Sequence, residues 1–468
     1  MSVTGQALRL AATAKIDDPA EEARIFLENH PDITSADLFV IDHNGVARGK
    51  RIPAASLGKA FRSGLAMPRS VLALDVWGND VPAAGFAQES GDGDGLCRPV
   101  AGTLRPMTWA RSPAAQLMLT MHEPDGSPFP GDPRHVLARV LQRLAAHGLT
   151  PVVATELEFY LVEPTGGEDG GPVPPRQPAS GRRPCDPCVL SLDELEGLEP
   201  VFAGIEAAAR AQGIPTDTLI TEHGPGQFEI NLWHQADALL AADQAALFKR
   251  AVKGCARAHG LVASFMAKPF GHAAGSGMHV HMSLLDRTGR NLFDDGAEGS
   301  ALLRHAVAGL CATMADFTAI FAPNPNSFRR LRPGAFAPTA PTWGYENRTV
   351  AVRIPHAGGP ARRLEHRVAG ADANPHLALA AILAGVLHGI EHRLEPAAPV
   401  TGCAYGTLTE TLPDSLPAAV RALEQSTVAR TQLGDTMVRI LAAAKRQEHE
   451  RLITVVPAAE HAAYLRAV

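Results

Sequence analysis

The stretch Val152-Val-Ala-Thr-Glu-Leu-Glu-Phe-Tyr-Leu-Val162 decides the fold. Its β-branched and aromatic residues predict a strand, and its centre alternates polar with apolar side chains. Successive side chains of a strand point to opposite faces, so Glu156 and Glu158 share one face. Two acids on one face of a half-buried strand repel each other unless a cation balances them. The stretch therefore predicts a strand with a functional face.

The patterns around this strand predict an α+β protein with two domains, at residues 18–130 and 131–468, divided in the Pro-rich segment Pro128–Pro133. The first domain is expected to contain a hairpin at 37–53, which turns at Asn44-Gly45, and a strand at Val71–Val76. Further strands are predicted at 218–221, 227–233, 261–266 and 277–285. Helices are predicted at 134–147, 193–212, 237–259, 374–393, 415–424 and 434–450.

Composition limits the possible partners. The net charge is −6 and no long basic run occurs, so nucleic acid is not expected to bind. The best apolar run, Leu377–Leu387, is too short to cross a bilayer, which predicts no membrane partner. Residues Met1–Lys15 lack a basic start followed by an apolar core, so no secretory signal is expected and a cytoplasmic location is predicted.

A second acidic segment, Glu222-His-Gly-Pro-Gly-Gln-Phe-Glu229, places two carboxylates on either side of a Gly-Pro-Gly turn. Alone it would be interpreted as a solvated loop. It gains significance beside the other acids and imidazoles that fall on predicted strands or their ends. The candidate metal ligands are Glu156, Glu158, Glu222, Glu229, His279 and Glu365.

This ligand set is dominated by oxygen, which favours Mg²⁺ or Mn²⁺ over zinc. Six ligands are more than one magnesium ion usually takes, so at least two ions are expected to share them. The alternative is that these acids form surface salt bridges. Strand alternation also puts His279 and His281 on one face, where one could bind metal and the other lie near phosphate.

Arginines are concentrated in the last third of the chain. Their guanidinium groups match the oxygens of carboxylates and phosphates, and divalent ions with arginines are typical of phosphoryl transfer. The alternative is a solvated basic face. No Gly-x-x-x-x-Gly-Lys-Ser/Thr phosphate loop is present. The run consists of Arg329, Arg330, Arg332, Arg348, Arg353, Arg363 and Arg367.

With these motifs in this order, the chain resembles the glutamine synthetase family over nearly its whole length. The matching segments are Glu156-x-Glu158, Pro225–Glu229, Lys268-Pro269, Gly275–His279, Asn326–Arg330, Asn347-Arg348, Arg353–Pro355, Arg363–Arg367 and Ala373–Pro375. The resemblance implies an N-terminal β-grasp domain, a C-terminal catalytic domain built on a curved antiparallel sheet with helices, and a homo-dodecamer of two stacked hexameric rings.

The resemblance also implies roles for individual residues. Glu158, Glu222 and Glu229 would hold one metal ion, and Glu156, His279 and Glu365 another, with two or three Mg²⁺ or Mn²⁺ ions in all. Further roles are implied for Arg330, Arg348 and Arg367 at the substrate carboxylate and transferred phosphoryl group, Gly275 in the glutamate pocket, and His281, Ser283, Arg353 and Arg363 near ATP. The reaction would be phosphorylation of the glutamate γ-carboxylate by ATP, followed by attack of an amine.

Two departures from the family pattern concern the amine. Phe336, in Arg330-Leu-Arg-Pro-Gly-Ala-Phe336, stands where ammonia-using members carry a Glu, and Gly64–Ser70 lacks the acid of their ammonium loop. A third departure, Ala274 in place of an Asn, removes a polar contact to glutamate. An apolar wall at Phe336 suits an organic amine. The segment Arg48-Gly-Lys-Arg-Ile-Pro53 resembles the γ-glutamylpolyamine synthetase branch.

We therefore expect an ATP-dependent ligase that joins glutamate to an organic amine. The amine could be a polyamine such as putrescine, as the branch resemblance indicates, or a monoamine, as Phe336 favours. Glutamine synthesis from ammonia is one alternative. A non-catalytic member with a scaffold or regulatory role is another, and the presence of all six metal-ligand residues speaks against it.

Overall fold

The computed structural model describes residues 18–167, 170–178, 180–184, 188–296, 298–406 and 410–468. Residues Met1–Lys15, which carry the expectation of no secretory signal, lie outside these ranges. Among the described residues, the strands form two sheets. None of the helices in these ranges combines the length and apolar character needed to span a membrane.

The N-terminal sheet has the strand order β2-β1-β6-β4-β3, with β5 paired to β6. Its strands are β1 (Ser35–Ile41), β2 (Ala47–Pro53), β3 (Leu65–Pro68), β4 (Asp94–Pro99), β5 (Arg105–Pro106) and β6 (Ala114–His122). Strands β1 and β6 are parallel neighbours at the centre, and the other pairings are antiparallel. Strand β6 is buried over almost all its length, so this sheet is covered on both faces.

The second sheet has the order β12-β13-β14-β11-β7-β9-β8, with β10 paired to β7. Its strands are β7 (Thr150–Val162), β8 (Thr216–Thr221), β9 (Gln227–Leu232), β10 (Val262–Ser264), β11 (Met278–Leu285), β12 (Trp343–Tyr345), β13 (Val352–Ile354) and β14 (Leu364–His366). All pairings are antiparallel except β12 with β13. Strand β7 pairs with three others and is the centre of this sheet.

Helices pack around the two sheets. They are α1 (Glu21–Asn29), α2 (Leu57–Ser63), α3 (Pro133–Ala146), α4 (Leu192–Glu196), α5 (Glu199–Gln212), α6 (Ala238–Ala258), α7 (Ala301–Thr313), α8 (Thr318–Phe321), α9 (Pro375–His392), α10 (Leu416–Gln425), α11 (Thr427–Leu433), α12 (Asp435–Ile453) and α13 (Ala458–Tyr464). Helix α9 is apolar on nearly every side because other elements surround it.

Most elements predicted from sequence are confirmed within one to three residues. These include the N-terminal hairpin, the central strand β7, the acid-bearing strand β9 and the apolar helix α9. The α+β fold class is likewise confirmed. The curled second sheet is antiparallel, as the resemblance implies, except for one parallel pair, β12 with β13.

Two predicted elements are wrong. The strand expected at Val71–Val76 is replaced by a 3₁₀ turn at Arg69–Leu72 and a bend. The backbone after this turn bonds to side chains rather than to a neighbouring strand: Val76 N donates to Glu448 at 2.8 Å, and Trp77 N to Asp75 at 3.0 Å. The single helix expected at 193–212 is two helices, because Gly197 ends α4 and α5 starts afresh with Pro200 in its first turn.

The hydrophobic core continues across the predicted domain boundary. Phe39 and Met118 of the N-terminal sheet belong to the same buried cluster as Val140 and Phe159 of the second part. The boundaries at residues 18–130 and 131–468 stay predictions, since the packing of the two parts is shared.

A buried polar network joins the two ends of the chain. Asn44, in the turn between β1 and β2, donates to Glu448 of α12 at 3.1 Å and accepts from Lys445 of the same helix. Lys445 and Glu448 are paired at 2.8 Å, and both are 1% exposed. Their charges are thus satisfied by each other and by the N-terminal turn.

Helices α7 and α9 cross in backbone contact. A Cβ on Gly309 would lie 2.2 Å from the Gly385 carbonyl oxygen and 2.6 Å from Gly389 Cα. No side chain fits between the two helices at this point. Glycine is therefore required here by the close approach.

We predict that Gly309→Ala lowers the free energy of unfolding by about 2 kcal/mol, because the added methyl group forces the helices apart. The helix propensity of Ala, about 1 kcal/mol better than Gly, opposes this effect and is outweighed. Thermal unfolding followed by circular dichroism measures the change. Ala312→Ser, on the exposed face of α7, is the matched control and should leave the melting temperature nearly unchanged. A Gly309→Ala protein as stable as wild type would contradict the close crossing.

Candidate active site

The register of strand β7 assembles the charged site. Glu158 of β7 lies opposite Glu229 of β9, and Glu156 lies opposite His279 of β11. On the far side of β11, His281 lies opposite Glu365 of β14. Neighbouring residues in register share a face of the sheet, so four strands contribute charged side chains to one surface.

The first group on this surface consists of Glu158, Glu222 and Glu229, each of which offers an oxygen within 4.8 Å of the others. Burial and the neighbouring Glu222 raise the pKa of Glu158 to about 7. Burial, together with Glu156 and Glu158, raises the pKa of Glu229 to about 10, and burial also raises the pKa of Glu222. These carboxylates lack the positive charge that would let all three ionise together.

The second group is held by hydrogen bonds from imidazoles and by neighbouring arginines. Glu156 accepts hydrogen bonds from His279 Nδ1 at 3.1 Å and from His281 Nε2 at 2.8 Å. Glu365 is 1% exposed, pairs with Arg353 at 2.9 Å and accepts a hydrogen bond from Arg367. Burial opposes the ionisation of both acids, but these partners hold the pKa of Glu156 and of Glu365 below the ordinary range.

The two groups differ in what a divalent ion would do for them. The first group is a set of hard oxygen ligands with unbalanced charge, which is what Mg²⁺ or Mn²⁺ requires. In the second, three ligand atoms come within 4.8 Å in two overlapping combinations: Glu156 with Glu229 and His279, and Glu156 with His281 and Glu365. His279 Nδ1 lies 4.0 Å from Glu365 Oε1. All six sequence-predicted ligands therefore lie together and fit divalent ions.

Arg330 and Gly275 are packed against each other next to the acids. Arg330 is 4% exposed and donates to the Val368 carbonyl at 2.9 Å and the Arg367 carbonyl at 3.2 Å. A Cβ on Gly275 would lie 2.8 Å from Arg330 Cγ and 2.6 Å from the Ala267 carbonyl oxygen, so glycine is needed at this position. The buried guanidinium is thereby held rigidly, with Glu158 the strongest of the opposite charges near it.

The loop that carries Phe336 borders the two buried arginines. Phe336 is 58% exposed and has a φ of 50°, which a bulky side chain adopts only when its surroundings require it. Tyr405 donates to the Ala337 carbonyl at 3.1 Å and lies close enough to Arg330 and Arg367 to feel their charge. The aromatic side chain is therefore largely exposed to solvent, on a loop that Tyr405 connects to the surroundings of Arg330 and Arg367.

A cavity of about 550 Å³ adjoins the second group. It is lined by Glu156, His281, Ser283 and Arg363, and Arg363 Nε donates to His281 Nδ1 at 3.1 Å. Arg353, the fourth residue predicted for this region, does not line the cavity. It lies behind it and pairs with Glu365 and with Glu346, because β13 places it opposite Glu365.

Arg348 lies apart from the other two predicted substrate-binding arginines. It is exposed, and it acts on the acids through its charge near Glu222. Arg330 and Arg367 are buried together, so the predicted arginine set is split between a rigid pair and a surface member.

Sequence reasoning missed residues that complete the site. Gln227 is buried and donates to the Gly275 carbonyl at 2.9 Å, while its own side-chain oxygen accepts from Gly224 N at 2.9 Å. It stands in the Gly-Gln-Phe-Glu motif, which gave a signal that could have found it. Trp233 is half exposed at the wall of the 550 Å³ cavity. Neither Trp233 nor Tyr405 lies in a sequence motif that could have identified it.

Comparisons with known proteins agree with this geometry. Residues 130–464 match the family model of the glutamine synthetase catalytic domain. The chain is 44% identical to γ-glutamylputrescine synthetase PuuA of Escherichia coli K12 over 363 residues, which cover 77% of each protein. It is 36% identical to γ-glutamylethanolamide synthetase GlnA4 of Streptomyces coelicolor over 416 residues, 87% of each. A solved GmaS–ADP complex superposes with a TM-score of 0.83 at 30% identity, over 95% of this chain and 99% of that one.

Fold, site and comparisons together define a carbon–nitrogen ligase. The chain belongs to the glutamine synthetase family.

We predict that metal stabilises the protein more at high pH than at low pH. Without an ion, Glu158 and Glu229 have higher pKa values in the folded protein than in the unfolded chain, where the pKa is near 4.5. Their contribution to the free energy of unfolding is therefore fully present below pH 4.5. It is lost as pH rises through about 7 and then about 10. An ion that replaces the protons restores it. Mn²⁺ added to EDTA-treated protein should raise the melting temperature by at least about 3 °C more near pH 8.5 than near pH 6.

Two variants test whether this effect belongs to the first acidic group. Glu229→Gln should reduce the metal-induced shift and its pH dependence. Glu206→Gln, which removes an exposed acid from α5, should keep both. A wild-type shift of equal size at the two pH values would contradict the prediction.

Proposed function

We propose that the protein joins glutamate to an organic amine at the expense of ATP and releases a γ-glutamyl amide, ADP and phosphate. The observation that carries this proposal is Phe336, an exposed aromatic side chain on the loop that contacts Tyr405. The resemblance implies an acid at this position in ammonia-using family members. The names of the two relatives given above, which make amides of putrescine and ethanolamine, support it.

Divalent ions, two or three of Mg²⁺ or Mn²⁺, are part of the proposal. Glu158, Glu222 and Glu229 would hold one, and Glu156, His279 and Glu365 another; the number of ions is itself proposed. When bound, such ions withdraw negative charge from phosphate oxygens during transfer. Arg353 and Arg367 already hold Glu365 in place, so its carboxylate is oriented before any ion arrives.

ATP is proposed to occupy the 550 Å³ cavity, with its phosphates toward Glu156. His281, Ser283 and Arg363 line the cavity and would contact the nucleotide. Arg353 would act indirectly, since it contacts Glu365 rather than the cavity. This modifies the role that the resemblance implies for Arg353.

Glutamate is proposed to bind beside Gly275, with Arg330 and Arg367 fixing its carboxylates and the phosphoryl group in transfer. Arg348, near Glu222, would approach from the surface. A γ-carboxylate oxygen attacks the γ-phosphorus of ATP and ADP leaves, which gives an acyl phosphate. The amine nitrogen then attacks the acyl carbon, loses a proton and displaces phosphate. The buried arginine pair is suited to this task because its guanidinium groups are fixed before the substrate binds.

The proposed preference for an organic amine over ammonia rests on the loop of Phe336 rather than on the metal ligands. An aromatic side chain attracts the carbon skeleton of an amine and does not attract NH₄⁺ as a carboxylate would. A polyamine, favoured by the sequence of the hairpin strand, and a monoamine, favoured by Phe336, are both compatible with this wall. Ammonia is the alternative that a missing acid disfavours.

We predict that putrescine or a monoamine such as ethanolamine has a higher kcat/KM than ammonia in an assay of ADP release with glutamate. Phe336→Glu should lower the preference for the organic amine over ammonia about tenfold, since one wall contact is worth about 1–3 kcal/mol. Phe336→Leu is the matched control, because it keeps an apolar side chain at the same backbone angle, and its preference should stay near wild type.

Two outcomes would overturn the proposal in different ways. Ammonia as the best nucleophile would assign glutamine synthesis. Absence of ADP release with every amine, and of a thermal shift with ATP and Mg²⁺, would assign a scaffold or regulatory role.

We further propose a homo-dodecamer of two hexameric rings, in the cytoplasm. The C-terminal segment supports assembly, because Ile453, Leu465 and Val468 are 71%, 73% and 97% exposed, and such apolar surface is typical of a contact with another subunit.

We predict that Ile453→Ser with Leu465→Ser lowers the molar mass measured by light scattering after size exclusion, while the fold survives because both side chains are exposed. Glu460→Ser with His461→Ser changes polar residues of the same segment and should leave the mass at the wild-type value. A wild-type protein that is monomeric would contradict the dodecamer. An unchanged mass in the apolar double variant would contradict the role of this segment.

A further inference from the structure

A second cavity among the described residues is separate from the candidate active site. It has a volume of about 860 Å³ and lies between the N-terminal sheet, helix α6 and strand β10. Its walls include none of the predicted metal, substrate or nucleotide residues. Nothing in the proposed reaction uses it.

The cavity is lined by more cations than anions. Its basic residues are Arg51, Arg111, Lys249, Arg250, Lys253 and Arg257, and its acids are Asp37 and Asp372. The two acids are already engaged. Asp37 is shared by Arg51 and Arg250 at 2.6 and 2.8 Å.

Asp372 binds neutral groups instead of the cavity's cations. It accepts from Ser327 Oγ at 2.6 Å and from Asn324 Nδ2 at 2.8 Å. Lys249 donates to the carbonyls of Ala371 and Ala373 at 2.7 and 3.1 Å. Asp372 therefore does not balance the charge of the cavity's other basic residues.

Four of the six basic residues have no carboxylate within 4 Å in the part of the chain that the structure describes: Arg111, Lys249, Lys253 and Arg257. Lys249, Lys253 and Arg257 follow one another at intervals of four residues, so they form a row along one side of α6. Burial, with a smaller contribution from the charge of Lys253, lowers the pKa of Lys249 to about 7.

Aromatic side chains give this row a fixed base. The ammonium groups of Lys249 and Lys253 lie 5.4 and 5.7 Å from the centre of the Phe265 ring. Trp109 packs directly on the backbone of α6, where a Cβ on Gly254 would lie 2.3 Å from its Cδ1 atom. Lys249 and Lys253 are thus held against a packed aromatic wall, while Arg111, Lys253 and Arg257 remain exposed to solvent and so to a ligand.

We propose that this cavity binds a small polyanion, a metabolite with two or more phosphate or carboxylate groups. Its charges would be met by Arg111 from the N-terminal part and by Lys253 and Arg257 from α6. Charge-assisted hydrogen bonds from arginine and lysine are the usual means of binding both anionic groups. The ligand would therefore bridge the N-terminal sheet and α6.

Binding can be measured by calorimetry on the full chain, stripped of metal with EDTA and then dialysed free of it, at constant ionic strength because salt screens exposed charges. EDTA is removed because it is itself a small polyanion and would compete with the probes. Inorganic tripolyphosphate and citrate are the probes, and they separate phosphate from carboxylate chemistry. We expect at least one to bind, and Lys253→Gln with Arg257→Gln to weaken that binding at least about tenfold, the equivalent of 1.4 kcal/mol. Lys59→Gln with Arg62→Gln removes the same charge from the exposed face of α2 and should change the affinity less than about twofold.

Several results would overturn the proposal. The first is that neither probe binds the wild-type protein. The second is that the two double variants lose affinity equally, which would show a response to net charge alone. An increase in molar mass on addition of the probe would assign the anion to a contact between copies of the chain. ADP release by the Lys253/Arg257 variant reports separately on the proposed ligase activity, so failure of one proposal is distinguishable from failure of the other.

Discussion

The site depends on the register of one strand, β7, between two antiparallel neighbours. A shift of one residue in that pairing would turn Glu156 and Glu158 toward the core and bring Leu157 to the charged surface. The apolar residues of the alternate face, such as Leu157 and Phe159, are fully buried, so their packing fixes the register. The energy that aligns the acids therefore comes from the hydrophobic face of the same strand, and it is available before any ion or substrate binds.

This alignment creates two electrostatic environments on one sheet. Glu156 accepts hydrogen bonds from two imidazoles, and Glu365 is paired with guanidinium groups of the protein itself. In the described part of the chain neither Glu158 nor Glu229 has a cation within 4 Å, and burial together with neighbouring carboxylates raises the pKa of both. A bound ion would contribute more to stability at Glu158 and Glu229, because there it would replace protons rather than compete with arginine. One acidic surface thus has two parts. Glu156 and Glu365 are already held by protein partners, and Glu158 and Glu229 are the acids whose charge a metal ion would balance.

Much of this arrangement was predictable from the sequence, because it depends on local periodicity. Alternation alone placed Glu156 and Glu158 on one face, and the order of the motifs led to the family. Contacts between distant segments were not predictable in the same way. The stretch Val71–Val76 has the composition of a strand, yet its backbone is satisfied by Asp75 and by Glu448, a residue 372 positions away. Arg353 was assigned to the nucleotide, and only the pairing of β13 with β14 shows that it faces Glu365. Tyr405 lies in a segment without periodicity, so no pattern could find it.

The network of Asn44, Lys445 and Glu448 has a consequence for synthesis of the chain. Asn44 leaves the ribosome about 400 residues before its partners on α12. Until that helix emerges, the turn between β1 and β2 must keep its polar groups in water, and Ala73, Val81 and Ala84 lack the apolar side chains of α12 that cover them. Vectorial folding from the N-terminus can therefore form the hairpin early but cannot complete this junction. The contact of Asn44 with Lys445 and Glu448 is therefore among the last to form.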